Sequence, residues 1–467
     1  MSFVFYDTET TGIDTKFDQI LQFAAIYTDS DLNELERFEI RCRLLPQIVP
    51  APGAMRVTGV RASQLTDNEL PSHYEMMCII REKMLEWSPS TFLGYNTIEF
   101  DEHLLRHAYY RTLHPPYLTS LSGNTRTDIL RAAQASSLYS PGALVIPIGN
   151  GQKPSFKLDA LAPANGFAHE NAHDALADVE ATIFIARLIS ERCPEVWSSF
   201  MRFSTKAAVI DFVSNEQIFC LSDFYFGKPY SWLVTPLDNH SDDTSTLYVF
   251  DLGVDPDSLV SLGPAKLKSR LSSSPKPIRN IRSNAVPMIF SAEDAPNSAS
   301  GKNLSQDELE RRINVLRENS ELRARIISGF EETRQEKPAA DHVEEQLYSG
   351  FFPVEDQKLL EIFHNLDWTA RLALVESFED PRLKLLGLQL IHAERPDVLN
   401  PEIRLEHDRE IARRIAYHNP DHPWLTLPKA LAEIDELLMS AKSTERSLLV
   451  EHRNYLSQRL NSALAIL

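Results

Sequence analysis

Glycine is scarce in this chain, 16 of 467 residues, about half the ordinary share, which excludes glycine-rich repeats and low-complexity tails. Cysteine is scarcer still. The four thiols, Cys42, Cys78, Cys193 and Cys220, lie far apart and form no CxxC pair, which excludes the common zinc spacings and fits a reducing compartment. No uninterrupted apolar run approaches the roughly 18 residues that a membrane-spanning helix needs. The N-terminus, MSFVFYDTET, lacks the basic and apolar regions of a signal peptide, so a cytoplasmic protein without a membrane partner is expected. Positive charge is also in deficit, 47 Lys and Arg against 66 Asp and Glu, a net −19. A polyanionic partner must therefore be held by local basic patches or metal ions.

What is present is ordinary for a globular protein: 43% hydrophobic and 24% charged residues. At roughly 100–200 residues per domain the length suggests about three domains. Residues 3–7 and Ile20 to Thr28 read as strands, and alternation from Phe38 through Ile40, Cys42 and Leu44 as a third. Thr66 and Glu69 form a capping-box pattern before a helical stretch with Met77, Ile80, Met84 and Trp87 on one face. Strand TFLG (91–94) then meets a helix near Asp101, and another helix runs from about His173 to Ser190. Strands mixed with crossover helices indicate an α/β domain over 1–193.

Beyond Cys193 the segments FVSNEQIFCLSDFYFGK, SWLVTP and TLYVFDLG read as short strands of a small β-rich domain. Its aromatic residues Phe224, Tyr225, Phe226 and Trp232 are expected in its core. From Ser258 to Ala292 there are six basic residues, Lys266, Lys268, Arg270, Lys276, Arg279 and Arg282, and no acidic one. Ser305 and Glu308 form a second capping box, followed by helical apolar faces at Leu309, Ile313 and Leu316, then Leu322, Ile326 and Phe330. These helices extend the second domain to 342. Residues 343–467 read as all-helical, and no internal repeat is visible.

Asp7 and Glu9 stand two apart at a strand end, so the pleat points both to one face. Paired carboxylates repel unless a cation lies between them, and hard divalent ions such as Mg²⁺ prefer carboxylate oxygen. Asp101 opens a helix, where an acid is also a common cap. His173 and Asp178 stand five apart in NAHDALADVEAT.

In order, DTETTG (7–12), GYNTIEFD (94–101) and HDALAD (173–178) resemble the three motifs of the proofreading-type DEDDh 3′→5′ exonuclease superfamily. The resemblance implies a ribonuclease H-like domain with a mixed sheet. It further implies four acidic residues, Asp7, Glu9, Asp101 and Asp178, with His173 as general base. Two Mg²⁺ ions, for which Mn²⁺ can substitute, are implied: one on Asp7, Glu9 and Asp178, the other on Asp7 and on Asp101, directly or through water. Such a pair would generate the nucleophile and stabilise the leaving oxygen. Asp174 reads as a helix-start carboxylate. GYNTIEFDE (94–102), PSFKLDALAPANG (154–166) and EEQLYSGFF (344–352) further resemble the bacterial exodeoxyribonuclease I family. Its members carry, besides the exonuclease domain, a Src-homology-3-like small β-barrel and a helical C-terminal domain, which together form a channel for single-stranded DNA.

This family resemblance implies Mg²⁺-dependent removal of nucleoside 5′-monophosphates from the 3′ end of single-stranded DNA, in repair and recombination. It assigns substrate contact to Glu9, Lys157, Arg106 and Tyr117; at Lys157 a lysine keeps the charge but lacks the planar fork of an arginine. It also implies a monomer whose protein partner is single-stranded-DNA-binding protein, held through that partner's acidic tail at residues no motif identifies. An exoribonuclease and a non-catalytic DNA-binding scaffold are the alternatives. The five catalytic residues do not discriminate the sugars, since 2′-OH recognition depends on local shape.

Overall fold

The computed structural model describes residues 2–168, 174–237, 245–333, 340–417 and 419–467. A five-stranded mixed sheet contains β1 (Phe3–Thr10), β2 (Ile20–Thr28), β3 (Glu34–Arg41), β4 (Thr91–Gly94) and β5 (Thr125–Asp128). Its order is β3-β2-β1-β4-β5. The β1–β2–β3 meander is antiparallel, whereas β1, β4 and β5 run parallel. Parallel neighbours need crossover connections, and the helices His73–Glu86 and Asp101–Arg111 provide them.

Both sheet faces are covered, which is why β1 and β2 are nearly continuous apolar runs rather than alternating ones. Phe3 and Phe5 pack on one side with Ile129, Ala175 and Val179. Val4 and Tyr6 pack on the other with Met76, Met77, Leu104 and Leu105. Asp7 and Glu9 continue the odd-numbered row, so they emerge on the side covered by the helix Ala175–Arg192.

A second five-stranded sheet, wholly antiparallel, follows: β6 (Phe219–Tyr225), β7 (Lys228–Pro236), β8 (Thr246–Asp251), β9 (Ile278–Arg282) and β10 (Met288–Ser291), in the order β10-β6-β7-β8-β9. Among the described residues between Val354 and Ile466 there are six α-helices and no strand. This helical part is packed onto the first sheet's unit: Tyr74, Tyr110 and Leu113 share a core with Leu347, Phe363 and Phe378.

Several local expectations are corrected. The capping box is Ser72 with Glu75, and the helix begins at His73, directly after Pro71 restricts the preceding backbone. The Thr66 hydroxyl donates to Ala62 O instead. The third strand starts earlier, at Glu34, and ends at Arg41, before Cys42 and Leu44. The segment FVSN closes a helix, Lys206–Asn215, instead of forming a strand. Asp101 is the first helical residue, not the cap. Trp232 is buried, but Tyr225 and Phe226 are on the surface. Phe226 and Gly227 both have positive φ, 53° and 73°, forming a two-residue hairpin turn whose geometry turns the Phe226 side chain outward. At the second expected box Ser305 caps its helix, accepting from Glu308 N at 3.2 Å, but the Glu308 carboxylate pairs with Arg311 and Arg312 instead of closing the box.

Candidate active site

Asp7 and Glu9 leave the C-terminal end of β1, past the last pairing with β4 at Phe5. There the sheet opens, and the first turn of the helix Ala175–Arg192 brings in Asp178. Asp7, Glu9 and Asp178 offer one carboxylate oxygen each within 4.8 Å of one another. The fourth predicted acid, Asp101, starts the helix across the same strand end. It is buried, and one oxygen accepts from the Thr8 hydroxyl at 2.5 Å. His173 lies outside the described residues.

Burial and the mutual repulsion of Asp7, Glu9, Asp101 and Asp178 dominate the electrostatics. Burial is the larger cause and repulsion adds to it, pushing the Asp7 carboxyl well above the usual range and Glu9 up to about 8. Burial likewise raises Asp101 to about 7, partly offset by the Thr8 hydrogen bond. Arg41 opposes the shift at Glu9, but it is engaged with Asp174 at 2.9 Å and Glu39 at 3.2 Å. Asp174 caps the helix by accepting from Ala177 N and also accepts from Gln22 Nε2 at 3.2 Å. Such crowding of half-buried acids around buried Asp101 is costly without a cation, and an all-oxygen donor set suits a hard divalent ion.

The substrate-contact candidates fall into two places. Arg106 and Tyr117 meet: the guanidinium lies 5.1 Å from the ring centroid. Arg106 is also paired with buried Glu102 at 2.7 Å. Lys157 is exposed and precedes the helix Leu158–Ala164. The carbonyl of its neighbour Phe156 accepts from the Tyr95 hydroxyl of the 94–101 segment. Of the basic stretch, Arg282 pairs with Glu99, two residues before Asp101. Arg279 lies over Trp232 at 4.0 Å.

Sequence reasoning missed the groups that hold the acids in place. Asp128, at the end of β5, accepts from Asn96 N and Ile98 N, both at 3.1 Å, and from Leu130 N at 2.9 Å. It thereby shapes the loop in which Asn96 adopts φ 67°. Glu102 accepts from Tyr6 and Thr119 and pairs with Arg126. An Asp before a helix was the only visible signal, and that signal reads as a cap.

Among the described residues a second potential ligand group, Cys78, His114 and His364, also converges within 4.8 Å. The two imidazoles stack with centroids 3.7 Å apart and planes 14° from parallel. One ion cannot lie in both ring planes at a coordination distance of about 2.0–2.1 Å. This group is an interface contact between the exonuclease unit and the C-terminal helices.

The mixed sheet with acids gathered at the end of its first strand defines an exonuclease-type α/β enzyme, and residues 4–186 match the family model described as Exonuclease. Residues 341–459 match the Exonuclease I C-terminal domain. The chain is 30% identical over 430 residues to exodeoxyribonuclease I of Escherichia coli strain K12, covering 88% of this chain and 90% of that one. Exonuclease I from Methylocaldum szegediense superposes with a TM-score of 0.85 at 27% identity, covering 98% and 99% of the two chains. The zinc-ion-bound form of the E. coli enzyme with single-stranded DNA gives 0.82 at 26%, with the same coverage. The chain belongs to the exodeoxyribonuclease I family and is a DNA exonuclease.

Proposed function

We propose that the chain hydrolyses single-stranded DNA from its 3′ end, releasing nucleoside 5′-monophosphates, in DNA repair and recombination. The observation that carries this reading is the convergence of Asp7, Glu9 and Asp178 within 4.8 Å at the end of β1. Membership of a family with an exonuclease domain supports divalent-metal dependence. The zinc ion and single strand in the E. coli complex support both the metal and the substrate. Two Mg²⁺ ions on Asp7, Glu9, Asp178 and Asp101 would supply an activated water and neutralise charge on the leaving oxygen.

The protein's own groups do the rest. His173, five residues before Asp178, takes the proton of the attacking water, its ordinary pKa lying near working pH. Exposed Lys157 holds a phosphate as a point charge. Arg106 and Tyr117, stacked on one another, contact the strand beside Asp101. The units are 1–193, 194–342 and 343–467, the middle one of Src-homology-3 type. The protein works as a cytoplasmic monomer and receives its substrate from single-stranded-DNA-binding protein through that partner's acidic tail. Among the described residues no helix is long and apolar enough to cross a membrane.

The test uses 5′-labelled single-stranded DNA, duplex DNA and RNA, each with Mg²⁺ or EDTA. Laddering from the 3′ end confined to single-stranded DNA with Mg²⁺ is expected. Equal loss of RNA would replace the reading with an exoribonuclease, and binding without cleavage would replace it with a scaffold.

A further inference from the structure

Arg41 stands two strands away from Glu9, yet the two lie in one row. Glu9 is opposite Gln22 across β1 and β2, and Gln22 is opposite Arg41 across β2 and β3. Residues directly opposite one another in antiparallel strands share a face, so the row lies on the side covered by the helix Ala175–Arg192. Asp7, Ala24 and Glu39 form the next row on that face. Asp174, the cap of the helix, meets both Gln22 and Arg41.

There the side chains close a ring. The Arg41 guanidinium donates from Nη2 to Asp174 Oδ2 at 2.9 Å and from Nε to Glu39 Oε1 at 3.2 Å. The Gln22 amide donates to the same two oxygens, at 3.2 Å and 2.9 Å. Gln22 is buried, so its two N–H groups need both acceptors. A single partly exposed ion pair contributes little, but here two carboxylates share the donors. Glu39 and Asp174 would repel, and Arg41 is the cation between them.

What the ring holds is the start of a helix. Asp174 O accepts from Asp178 N at 3.0 Å, and the Asp174 carboxylate accepts from Ala177 N at 3.4 Å. Asp178 is therefore one turn past the anchor, an axial rise of about 6 Å, on the same side of the helix. A displacement of Asp174 is carried to Asp178, whereas Asp7 and Glu9 stay with the sheet.

We propose that Arg41 is a positioning residue for the acid site: by holding Asp174 against Gln22 it fixes the helical turn from which Asp178 meets Asp7 and Glu9. The inference rests on the metal-binding reading above. Two roles for a cation at this place make opposite predictions. As a bare charge near Glu9, Arg41 repels an incoming metal ion, and its removal tightens binding. As an anchor it sets the carboxylate geometry, and its removal weakens binding, because outer groups that orient metal ligands are worth about 10- to 100-fold in affinity.

The test measures Mn²⁺ binding to the full chain without DNA, by electron paramagnetic resonance of the free ion, with thermal midpoints taken in EDTA. Arg41→Ala should weaken binding about tenfold at an unaltered midpoint. Arg41→Lys, which keeps the charge but not the two-armed guanidinium, should lie between it and wild type. Glu39→Gln added to Arg41→Ala removes the repulsion and should restore most of the affinity. Binding by Arg41→Ala that equals or exceeds wild type overturns the inference, and so does a loss that tracks a fallen midpoint or that Glu39→Gln leaves unchanged. Asp7→Asn is the control. If wild type binds no Mn²⁺, or binds it no better than Asp7→Asn, the metal reading itself fails; if wild type binds it better than that control and Arg41→Ala matches wild type, only this inference fails.

Discussion

The Thr8 hydroxyl donates to the Asp101 carboxylate at 2.5 Å, joining the strand that carries Asp7 and Glu9 to the helix that Asp101 opens. Thr8 points to the face opposite its two acidic neighbours, so one strand end grips acids from both sides of the sheet. A hydrogen bond to a charged group contributes about 1.5–3 kcal/mol. Thr8→Val keeps the shape and removes the donor. The expected result is a rate lowered about 10- to 100-fold, with a higher half-saturating metal concentration and unchanged circular dichroism, read from cleavage across a Mg²⁺ titration.

Asp128 holds the 96–98 loop through two backbone N–H groups and the following helix through Leu130 N. Asp128→Ala should leave those donors unpaired and cost about 2–3 kcal/mol in urea unfolding. Cleavage should fall along with stability, because the loop leads directly to Asp101. A variant of full stability and full rate would show that the loop holds its shape unaided.

The stacked pair His114 and His364 sets a pH dependence. Burial, reinforced by His364 and then by Arg81 and Arg371, holds His114 down at about 2; burial holds His364 down at about 4. Both are neutral in the folded protein, while the unfolded chain takes up protons below about 6.5. The unfolded state then binds more protons, so stability is present in full above pH 6.5 and falls as pH drops toward 4. Urea midpoints at pH 7 and pH 5 should differ, and the difference should shrink in His364→Gln.

Divalent ions should stabilise the folded state at the acid cluster. At a concentration about 100 times the dissociation constant the gain is about 2.7 kcal/mol. Mg²⁺ or Mn²⁺ should raise the thermal midpoint of wild type and do little for Asp7→Asn, which removes a charge common to both proposed ions. An equal rise in both proteins would place the stabilising ion elsewhere.

The acid set was legible because three segments resemble the superfamily's motifs; the strand pleat alone put only Asp7 with Glu9 on one face, and the helix read from about His173 starts at Ala175, which sets Asp178 in its first turn. The strands of the α/β domain followed from buried runs such as ILQFAAIYT, the mixed sheet from the family resemblance, and the helical C-terminal part from Leu and Ile periodicity. What stayed hidden depends on contacts distant in sequence. Thr8 and Asp101 are 93 residues apart, and Arg106 is committed to Glu102 as well as to Tyr117. Tyr225 and Phe226 read as core because composition carries no sign of direction, and only the positive-φ turn at Phe226–Gly227 turns the tip outward.

The central claim is that the converging acids hold the ions that cut DNA. It is tested most directly by single-turnover cleavage of 5′-labelled single-stranded DNA by wild type and Asp178→Asn, with affinity measured in EDTA. The account predicts a loss of about 10³-fold or more in rate with affinity changed less than about threefold. An Asp178→Asn variant that cleaves at the wild-type rate would contradict it.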